Sequence, residues 1–279
     1  MKGCPLSCIW CHNPEGISPR KQKMYTRKKC IGCKYCVENC TAQALILTPD
    51  GIKSDDTLCN LCGRCVKLCP SLAMEMSGSD CSVDYLMREI EKEMIFMDHS
   101  GGGVTFSGGE PLLYPDVLLE FLVRCRAIGV HRAIDTALHV PEKTLTAVMN
   151  ETDLFLIDLK LIDSGKHKRF CGAPNEQILS NLRLIAETGK DFIIRIPLIE
   201  GVNADDENII RSAEFLAMLP WKRKEVHLLS YHETAPAKHQ KMGTVYNPGT
   251  IALTSPSEEK RLHCIKLFKQ YGITATTGG

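Results

Sequence analysis

Two spacings of apolar residues alternate along the chain after residue 82. Apolar residues three and four apart predict amphipathic helices, and short continuous apolar runs predict buried strands. The helices are predicted at 83–97, 116–128, 142–150, 176–188, 206–218 and 257–271, and the strands at 104–106, 133–136, 154–159, 192–197 and 225–230. This alternation predicts an α/β fold with a parallel sheet, either open or closed into a barrel.

The predicted series has five strands and six helices, and it begins on a helix. A strand is therefore expected before the first helix, yet only three residues precede Cys4. We expect a partial (β/α)6 barrel that lacks its first strand. A start codon assigned too late, or a truncated chain, would explain this gap, and an in-frame continuation upstream in the gene would test the explanation.

Residues 17–78 do not follow the alternation. A basic run at 20–29 opens this segment, and two cysteine clusters flank residues 42–58. No aromatic stripe accompanies the basic run, which favours a solvated connector over a nucleic-acid site. We therefore predict three parts: a cysteine loop at 1–16 that begins the barrel, a small inserted domain at 17–78, and the rest of the barrel at 79–279.

Cysteine is the residue type that changes this picture. The chain has 279 residues and 15 cysteines, and 11 of these lie in three clusters before Pro70. Disulfide-rich secreted proteins are smaller and spread their cysteines through the fold, whereas gaps of two and three residues bring thiolates together around a metal centre. Four isolated cysteines are interpreted as ordinary thiols: Cys81, Cys125, Cys171 and Cys264.

The rest of the composition excludes several classes of protein. A net charge of +1 gives no overall field that would attract nucleic acid or a membrane surface. No apolar run reaches the length of a membrane span, and no secretory signal precedes the first motif. We expect a globular cytoplasmic protein without nucleic-acid or membrane partners.

The first cysteine cluster is Cys4-x3-Cys8-x2-Cys11. Three thiolates at this spacing can hold three corners of a cubane iron–sulfur cluster and leave the fourth iron open to a ligand. An open coordination position is typical of a reactive metal centre. The alternative is a zinc knuckle with His12 as the fourth ligand, although zinc sites are usually built from paired cysteines.

The second and third clusters both reproduce the cysteine run of bacterial two-cluster ferredoxins, in which the fourth cysteine ligates the other cluster. The first run has Thr41 where the ferredoxin pattern has proline, and the second run is followed by Pro70. The ferredoxin pattern therefore predicts two [4Fe–4S] clusters, one held by Cys30, Cys33, Cys36 and Cys69, the other by Cys59, Cys62, Cys65 and Cys40.

Together these motifs resemble the radical SAM superfamily, whose members use S-adenosylmethionine (SAM). The cysteine loop is followed by Ser107-Gly108-Gly109-Glu110-Pro111, and the insert between them is similar to that of the glycyl-radical-enzyme activating enzymes. Further matches cover essentially the whole chain: Lys2-Gly3-Cys4-Pro5-Leu6, Cys11-His12-Asn13-Pro14-Glu15, Asp158-Leu159-Lys160, Ile194-Arg195-Ile196-Pro197 and Leu229-Ser230-Tyr231-His232.

The resemblance implies a role for each motif. SAM would chelate the open iron of the Cys4, Cys8 and Cys11 cluster. The residues implied to contact SAM are Gly108, Gly109, Glu110, Asp135, Lys160, Arg195 and His232. Glycine allows close backbone approach, Glu110 can accept from the SAM amino group, and the two cations can offset the SAM carboxylate. A monovalent cation beside SAM is implied at Asp135, Thr136 and Asp158.

The resemblance implies an enzyme with three [4Fe–4S] clusters and SAM, and we state its function as a hypothesis. A flavodoxin- or ferredoxin-type donor reduces the inserted clusters, which pass an electron to the site cluster. SAM is cleaved to a 5′-deoxyadenosyl radical, which abstracts hydrogen from a glycine of a partner glycyl radical enzyme. Two alternatives stay open: a radical SAM enzyme with another substrate, and an electron carrier of ferredoxin type.

Overall fold

A computed structural model describes residues 1–278. Within 17–78 it contains two short antiparallel pairs and two one-turn helices, none of which the sequence pattern predicted. In chain order these elements are β1 (Gln22–Tyr25), α1 (Tyr35–Glu38), β2 (Leu45–Thr48), β3 (Gly51–Ser54), α2 (Arg64–Lys67) and β4 (Met74–Ser77). Strand β1 pairs with β4, and β2 pairs with β3.

The rest of the chain is built on a six-stranded parallel sheet. Its strands are β5 (Gly103–Phe106), β6 (His131–Thr136), β7 (Leu154–Asp158), β8 (Asp191–Leu198), β9 (Glu225–Ser230) and β10 (Thr274–Thr277), in the order β10-β9-β8-β7-β6-β5. All five predicted strands and the parallel sheet are confirmed. The predicted count was one strand too low, because β10 follows the last helix and was not recognised.

Nine helices surround this sheet in the described part of the chain: α3 (Val83–Lys92), α4 (Met94–Ser100), α5 (Pro115–Ala127), α6 (Glu142–Met149), α7 (Ser164–Cys171), α8 (Glu176–Glu187), α9 (Asp206–Ala217), α10 (Ala235–Met242) and α11 (Glu258–Gln270). The helix predicted at 83–97 was wrong in its length, because the chain breaks at Glu93 into two helices. Helices α7 and α10 were not predicted.

The main core lies on one face of the sheet. Ile134, Phe155, Ile157, Phe192 and Ile194 are fully buried in three adjacent strands, and their paired positions place them all on that face. Each such side chain contributes about 1.5–3 kcal/mol by leaving water. Asp135, Asp158 and Arg195 lie on the opposite face. All six strands run parallel. The carboxyl ends of the strands consequently share one edge, where a site can be assembled.

The first residues of the chain are tied to the loop that follows β5. The Gly109 and Glu110 amides donate to the carbonyls of Met1 and Gly3, at 2.8 and 2.7 Å. Gly3 in turn donates to the Gly16 carbonyl at 2.8 Å. The cysteine loop and the Gly-Gly loop are thus one bonded unit, although about 100 residues separate them along the chain. Among the helices of residues 1–278, none combines the length and apolar character needed to cross a membrane.

Candidate active site

One cavity of about 610 Å³ lies at the carboxyl edge of the sheet. Residues from the cysteine loop, from the loop after β5 and from the ends of β6 to β9 all line it. Eleven of the twelve residues predicted for this centre are among them: Cys4, Cys8, Cys11, Gly108, Gly109, Asp135, Thr136, Asp158, Lys160, Arg195 and His232. Glu110 does not line the cavity.

The cysteine loop is held against the end of α7. Ser7 donates its amide to the Cys171 carbonyl at 2.9 Å, and Ile9 donates to Phe170 at 3.0 Å. Burial raises the pKa of Cys4 to about 11, and burial also raises the pKa of Cys11. Buried thiols with raised pKa values become thiolates when a metal compensates their charge, so this donor set fits a metal cluster.

Cys171, which was predicted to be an ordinary thiol, is a neighbour of the site. It is fully buried at the end of α7 and packs in one cluster with Cys8. A hydrogen bond from the Cys171 thiol lowers the pKa of Cys8. No spacing motif links residues this far apart in sequence, so only the folded chain reveals the pair.

Four charged side chains form a network across the ends of β6, β7 and β8. Lys160 donates to Asp158 at 3.0 Å, and the Arg195 guanidinium contacts Asp158 at 2.9–3.0 Å and also contacts Asp135. The register explains the contact, since Asp158 and Arg195 are paired positions of β7 and β8. Burial opposes the Lys160 charge, but Asp158, Cys8 and Cys171 together outweigh burial and raise the Lys160 pKa.

The same network sets the protonation of the two aspartates. Burial disfavours the Asp158 carboxylate, yet Lys160 and Arg195 together keep its pKa below the usual value. Burial and the Asp158 charge instead raise the pKa of Asp135, to which Ser107 donates a hydrogen bond at 2.9 Å. The two cations and two carboxylates therefore balance before any ligand is bound.

Glu110 lies behind the cavity wall and is completely buried. Its carboxylate accepts from the Thr136 hydroxyl at 2.8 and 2.9 Å and from the amides of Ala137 and Leu112 at 2.9 and 3.2 Å. Burial raises its pKa to about 7 despite these bonds. The structure therefore places Glu110 where it fixes Thr136 and Ala137 at the end of β6, rather than at the cavity surface.

The two motif glycines are required by the close approach of backbone. Gly108 has a φ of +136°, and a Cβ there would collide with the Met1 backbone. A Cβ on Gly109 would collide with the carbonyl of Gly3 and lie 2.6 Å from that of Gly16. Any side chain at these positions would push the cysteine loop away from the sheet.

The rim of the cavity joins the two ends of the chain. The His232 amide lies 3.4 Å from His12 Nε2, and the two rings are 6.1 Å apart. Lys238, on α10, pairs with Glu15 at 2.7 Å and also contacts Asn13. His12 and Asn13 line the cavity, although the sequence analysis gave them no role beyond the zinc alternative for His12.

The eight cysteines of the second and third clusters form two sets within residues 17–78, which we call the small unit. Each set lines a separate small pocket and takes three cysteines from one half of the repeat and one from the other half. Cys30, Cys33, Cys36 and Cys69 line one pocket, and Cys40, Cys59, Cys62 and Cys65 line the other. Within residues 1–278, no three His, Cys, Asp or Glu side chains converge at positions suited to one metal ion.

The comparisons with known proteins cover almost the entire chain. The trans-4-hydroxy-L-proline dehydratase activating enzyme of Clostridioides difficile is 40% identical over 100% of this chain and 92% of its own length. The pyruvate formate-lyase 2-activating enzyme of Escherichia coli is 32% identical over 100% of this chain and 85% of its own length. The Radical SAM superfamily model matches residues 1–213. The chain belongs to the glycyl-radical-enzyme activating enzymes of the radical SAM superfamily.

Solved structures agree with this assignment. A domain of pyruvate-formate lyase-activating enzyme from Bacteroides vulgatus is 47% identical, with a TM-score of 0.55, and the match covers 64% of this chain and 99% of that one. A radical SAM methyltransferase from Sphaerobacter thermophilus, at 16% identity and a TM-score of 0.52, shares the fold alone. The radical SAM α/β fold predicted for the activating enzyme is thereby confirmed.

Family membership also bears on the interpretation of the first cysteine cluster. A radical SAM protein carries a [4Fe–4S] cluster and uses SAM, and the cavity of this activating enzyme has the matching parts. Three half-buried thiols lie in it beside two cations and a backbone edge without side chains. Zinc and simple electron transport would account for the cysteines and leave Gly108, Gly109, Lys160 and Arg195 without a function.

Proposed function

We propose that this activating enzyme generates a glycyl radical on a partner enzyme. One electron and SAM give methionine and a 5′-deoxyadenosyl radical, which takes a hydrogen atom from a glycine Cα and leaves 5′-deoxyadenosine and the glycyl radical. One observation carries the proposal: a single cavity contains Cys4, Cys8 and Cys11 together with the SAM motifs from five strand ends. The curated relatives of the chain, named as activating enzymes, support it.

Different residues of the cavity would contact the cluster, SAM and a cation. Cys4, Cys8 and Cys11 would hold a [4Fe–4S] cluster with one open iron, and Lys160 and Arg195 would lie towards the SAM carboxylate. Gly108 and Gly109 present backbone to the methionine part, and His232 lies on the ribose side. Asp135, also implied as a SAM contact, would hold a monovalent cation with Thr136 and Asp158. Each of these lines the same cavity.

Glu110 contributes in a different way from the direct contact that the sequence analysis expected. Its buried carboxylate accepts hydrogen bonds from Thr136 and Ala137, both of which line the cavity. We therefore assign Glu110 as a positioning residue, which holds the end of β6 against the Gly-Gly loop.

We propose that residues 17–78 are a ferredoxin-like domain with two further [4Fe–4S] clusters, three clusters in all. Cys30, Cys33, Cys36 and Cys69 would ligate one, and Cys59, Cys62, Cys65 and Cys40 the other. The two pockets contain these sets of four. The six-stranded sheet would form the partial barrel around the SAM site, with a flavodoxin- or ferredoxin-type protein as electron donor. Clusters of this kind suit an anaerobic cytoplasm. The net charge of +1 favours a protein without nucleic-acid or membrane partners.

The proposal is tested by measuring 5′-deoxyadenosine from SAM with anaerobically reconstituted, reduced protein. Cys8→Ala should abolish the product, while Cys81→Ala, an exposed cysteine outside the cavity, should retain it. Deuterium transfer from a labelled partner glycine into 5′-deoxyadenosine would identify the hydrogen donor and exclude a small-molecule substrate. If fully loaded, SAM-bound protein formed no product, the electron-carrier alternative would replace the proposal.

A further inference from the structure

The two cysteine pockets of the small unit differ in their distance from the SAM cavity. Strands β1 and β4 run between the pockets, and their register pairs Gln22 with Ser77, Lys23 with Met76 and Tyr25 with Met74. Lys2, two residues before Cys4, contacts Gln22 and Ser77 at 3.2 and 3.3 Å, so this end of the ladder lies beside the start of the cysteine loop.

The pairs Lys23–Met76 and Tyr25–Met74 lie on one face of the ladder, but each pair belongs to a different pocket. Lys23 and Met76 line the pocket of Cys40, Cys59, Cys62 and Cys65, which we call the inner pocket. Tyr25 and Met74 line the pocket of Cys30, Cys33, Cys36 and Cys69, which we call the outer pocket. Two residues of strand separate the pockets along the ladder, roughly 7 Å. The outer pocket is therefore farther from the SAM cavity.

The internal repeat allows the rims of the two pockets to be compared position by position. Ile31 follows the first cysteine of its run as Asn60 does in the other run, and Lys34 corresponds to Gly63. Leu72, three residues after Cys69, corresponds to Gln43, three residues after Cys40. The backbone confirms both equivalences, since φ is +62° and +76° at Lys34 and Gly63, and +52° and +49° at Leu72 and Gln43.

The equivalent positions carry different chemistry. At the outer pocket Ile31 and Leu72 are apolar and 69% and 64% exposed, and Tyr35 beside them is 54% exposed. Their counterparts at the inner pocket, Asn60 and Gln43, are polar and exposed, and Leu61 lines that pocket at the position of Gly32. A bulky leucine with positive φ is unfavourable, and an exposed one gains nothing from the core. Exposed apolar side chains grouped at one place mark an interaction site.

The charge of residues 17–78, together with two lysines at the outer pocket, indicates the kind of partner. Residues 17–78 contain ten Lys and Arg against five Asp and Glu, a net charge of +5, whereas the whole chain carries +1. Lys28 and Lys34 flank the outer pocket, and neither pairs with an acidic side chain in the part of the chain that the structure describes. A basic surface with an apolar centre is complementary to an acidic protein.

Resting on the proposed function, we propose that an acidic one-electron carrier protein docks on the outer pocket, through Ile31, Tyr35, Leu72, Lys28 and Lys34. The carrier is oxidised by one electron, and the centre held by Cys30, Cys33, Cys36 and Cys69 is reduced by that electron. The inner pocket lies between this entry point and the SAM cavity. The two halves of the repeat would then serve different steps, one receiving the electron from the donor and the other passing it on within the protein.

The test converts the outer rim into the inner one. In the reconstituted full chain, Ile31→Asn, Lys34→Gly and Leu72→Gln together give the outer pocket the residues that the inner pocket already has. Glycine suits the positive φ at Lys34, and the other two side chains are exposed, so the fold should be retained. The matched control is Ile95→Asn, Lys143→Gln and Met218→Gln, three exposed positions on α4, on α6 and directly after α9.

Two quantities are measured for each protein, with iron content as the check on cluster loading. The first is the dissociation constant for oxidised flavodoxin, an acidic carrier, by titration calorimetry. The second is the rate of 5′-deoxyadenosine formation with flavodoxin hydroquinone divided by the rate with dithionite, which needs no docking surface. We expect the rim variant to raise the dissociation constant and to lower the rate ratio, each at least ten-fold, and the control to change neither by more than two-fold.

The outcomes separate this inference from the proposed function. A rim variant with the dissociation constant and rate ratio of the wild type would overturn the docking site, even if the enzyme makes 5′-deoxyadenosine normally. Equal losses in rim variant and control would overturn it too, because the effect would not be specific to the outer pocket. Absence of product with dithionite in the wild-type protein would overturn the proposed function, and the binding measurement would still decide the docking site.

Discussion

Lys160 is the side chain whose removal tests the electrostatics of the site most directly. Replacing it by methionine keeps an unbranched chain and removes the charge. Lys160 is 13% exposed in its side chain and contacts Asp158 at 3.0 Å. Arg195 also contacts Asp158, so the variant does not leave that carboxylate without a cation. The change therefore isolates the part of the Lys160 charge that acts on a ligand.

The structure sets the expected size of the two effects. Deleting one partner of a buried ion pair costs about 3–5 kcal/mol when the other charge is left uncompensated. Since Arg195 still compensates Asp158, we expect a loss of unfolding free energy of only about 1.5–3 kcal/mol, the value of one hydrogen bond to a charged group. A lost charge-assisted bond to the SAM carboxylate, about 1.5–3 kcal/mol, weakens SAM binding about 10- to 150-fold.

The assay is titration calorimetry of SAM with the anaerobically reconstituted Lys160→Met protein, together with urea unfolding. Lys143→Met is the matched control, because Lys143 is exposed on α6 and does not line the cavity. The control should bind SAM as the wild type does. Iron content, measured for all three proteins, shows whether the cysteine cluster has been assembled equally.

A dissociation constant within two-fold of the wild type, at equal iron content, would refute this reasoning. It would mean that Asp158 uses the whole charge of Lys160 and that Arg195 alone meets the SAM carboxylate. A loss of unfolding free energy well above 3 kcal/mol would refute the second part, because Arg195 would then not compensate Asp158.

Three further changes follow from the packing around the cavity. Gly109→Ala should lower the unfolding temperature at a cost of about 1–3 kcal/mol, since its Cβ collides with the cysteine loop, while Gly165→Ala on α7 should not. The Glu110 pKa of about 7 lies above the ordinary 4.5, so the folded state holds a proton that the unfolded chain releases. The free energy of unfolding should therefore fall by about 3 kcal/mol as pH rises from about 4.5 to 7. Glu110→Gln should abolish this pH dependence, measured by urea unfolding at pH 5 and 8. Lys238→Met removes the contact with Glu15 and should cost about 1 kcal/mol or less while speeding proteolysis near α10; an unchanged cleavage pattern would contradict the role of this pair.

The strands that carry the site were predictable because each contains a short run of apolar residues. Phe155 and Ile157 in β7, like Phe192 and Ile194 in β8, give continuous apolar runs, and these have few other interpretations. Strand β10 has the sequence Thr-Ala-Thr-Thr at the edge of the sheet, so a single buried alanine is all that marks it. Edge strands and polar helices such as α10 are stabilised by tertiary contacts, which sequence patterns do not contain.

The site shows the same division between chemistry and placement. The motifs identified which residue types meet at the cavity, because the family resemblance covers cysteines, glycines and cations. They did not show that Glu110 points away from the cavity, because its partners Thr136 and Ala137 lie on another strand. Cys171 was missed for a similar reason, since its contact with Cys8 depends on where α7 ends.

The exchange of one cysteine between the halves of the small unit has a consequence for its assembly and its decay. Cys69 lies with the cysteines of the first half, and Cys40 lies with those of the second. With the proposed ligation, neither half can complete a cluster without the other, and metal binding becomes part of the folding free energy. The two clusters should therefore be loaded together or not at all. Oxygen damage to either cluster should weaken the link between the two halves.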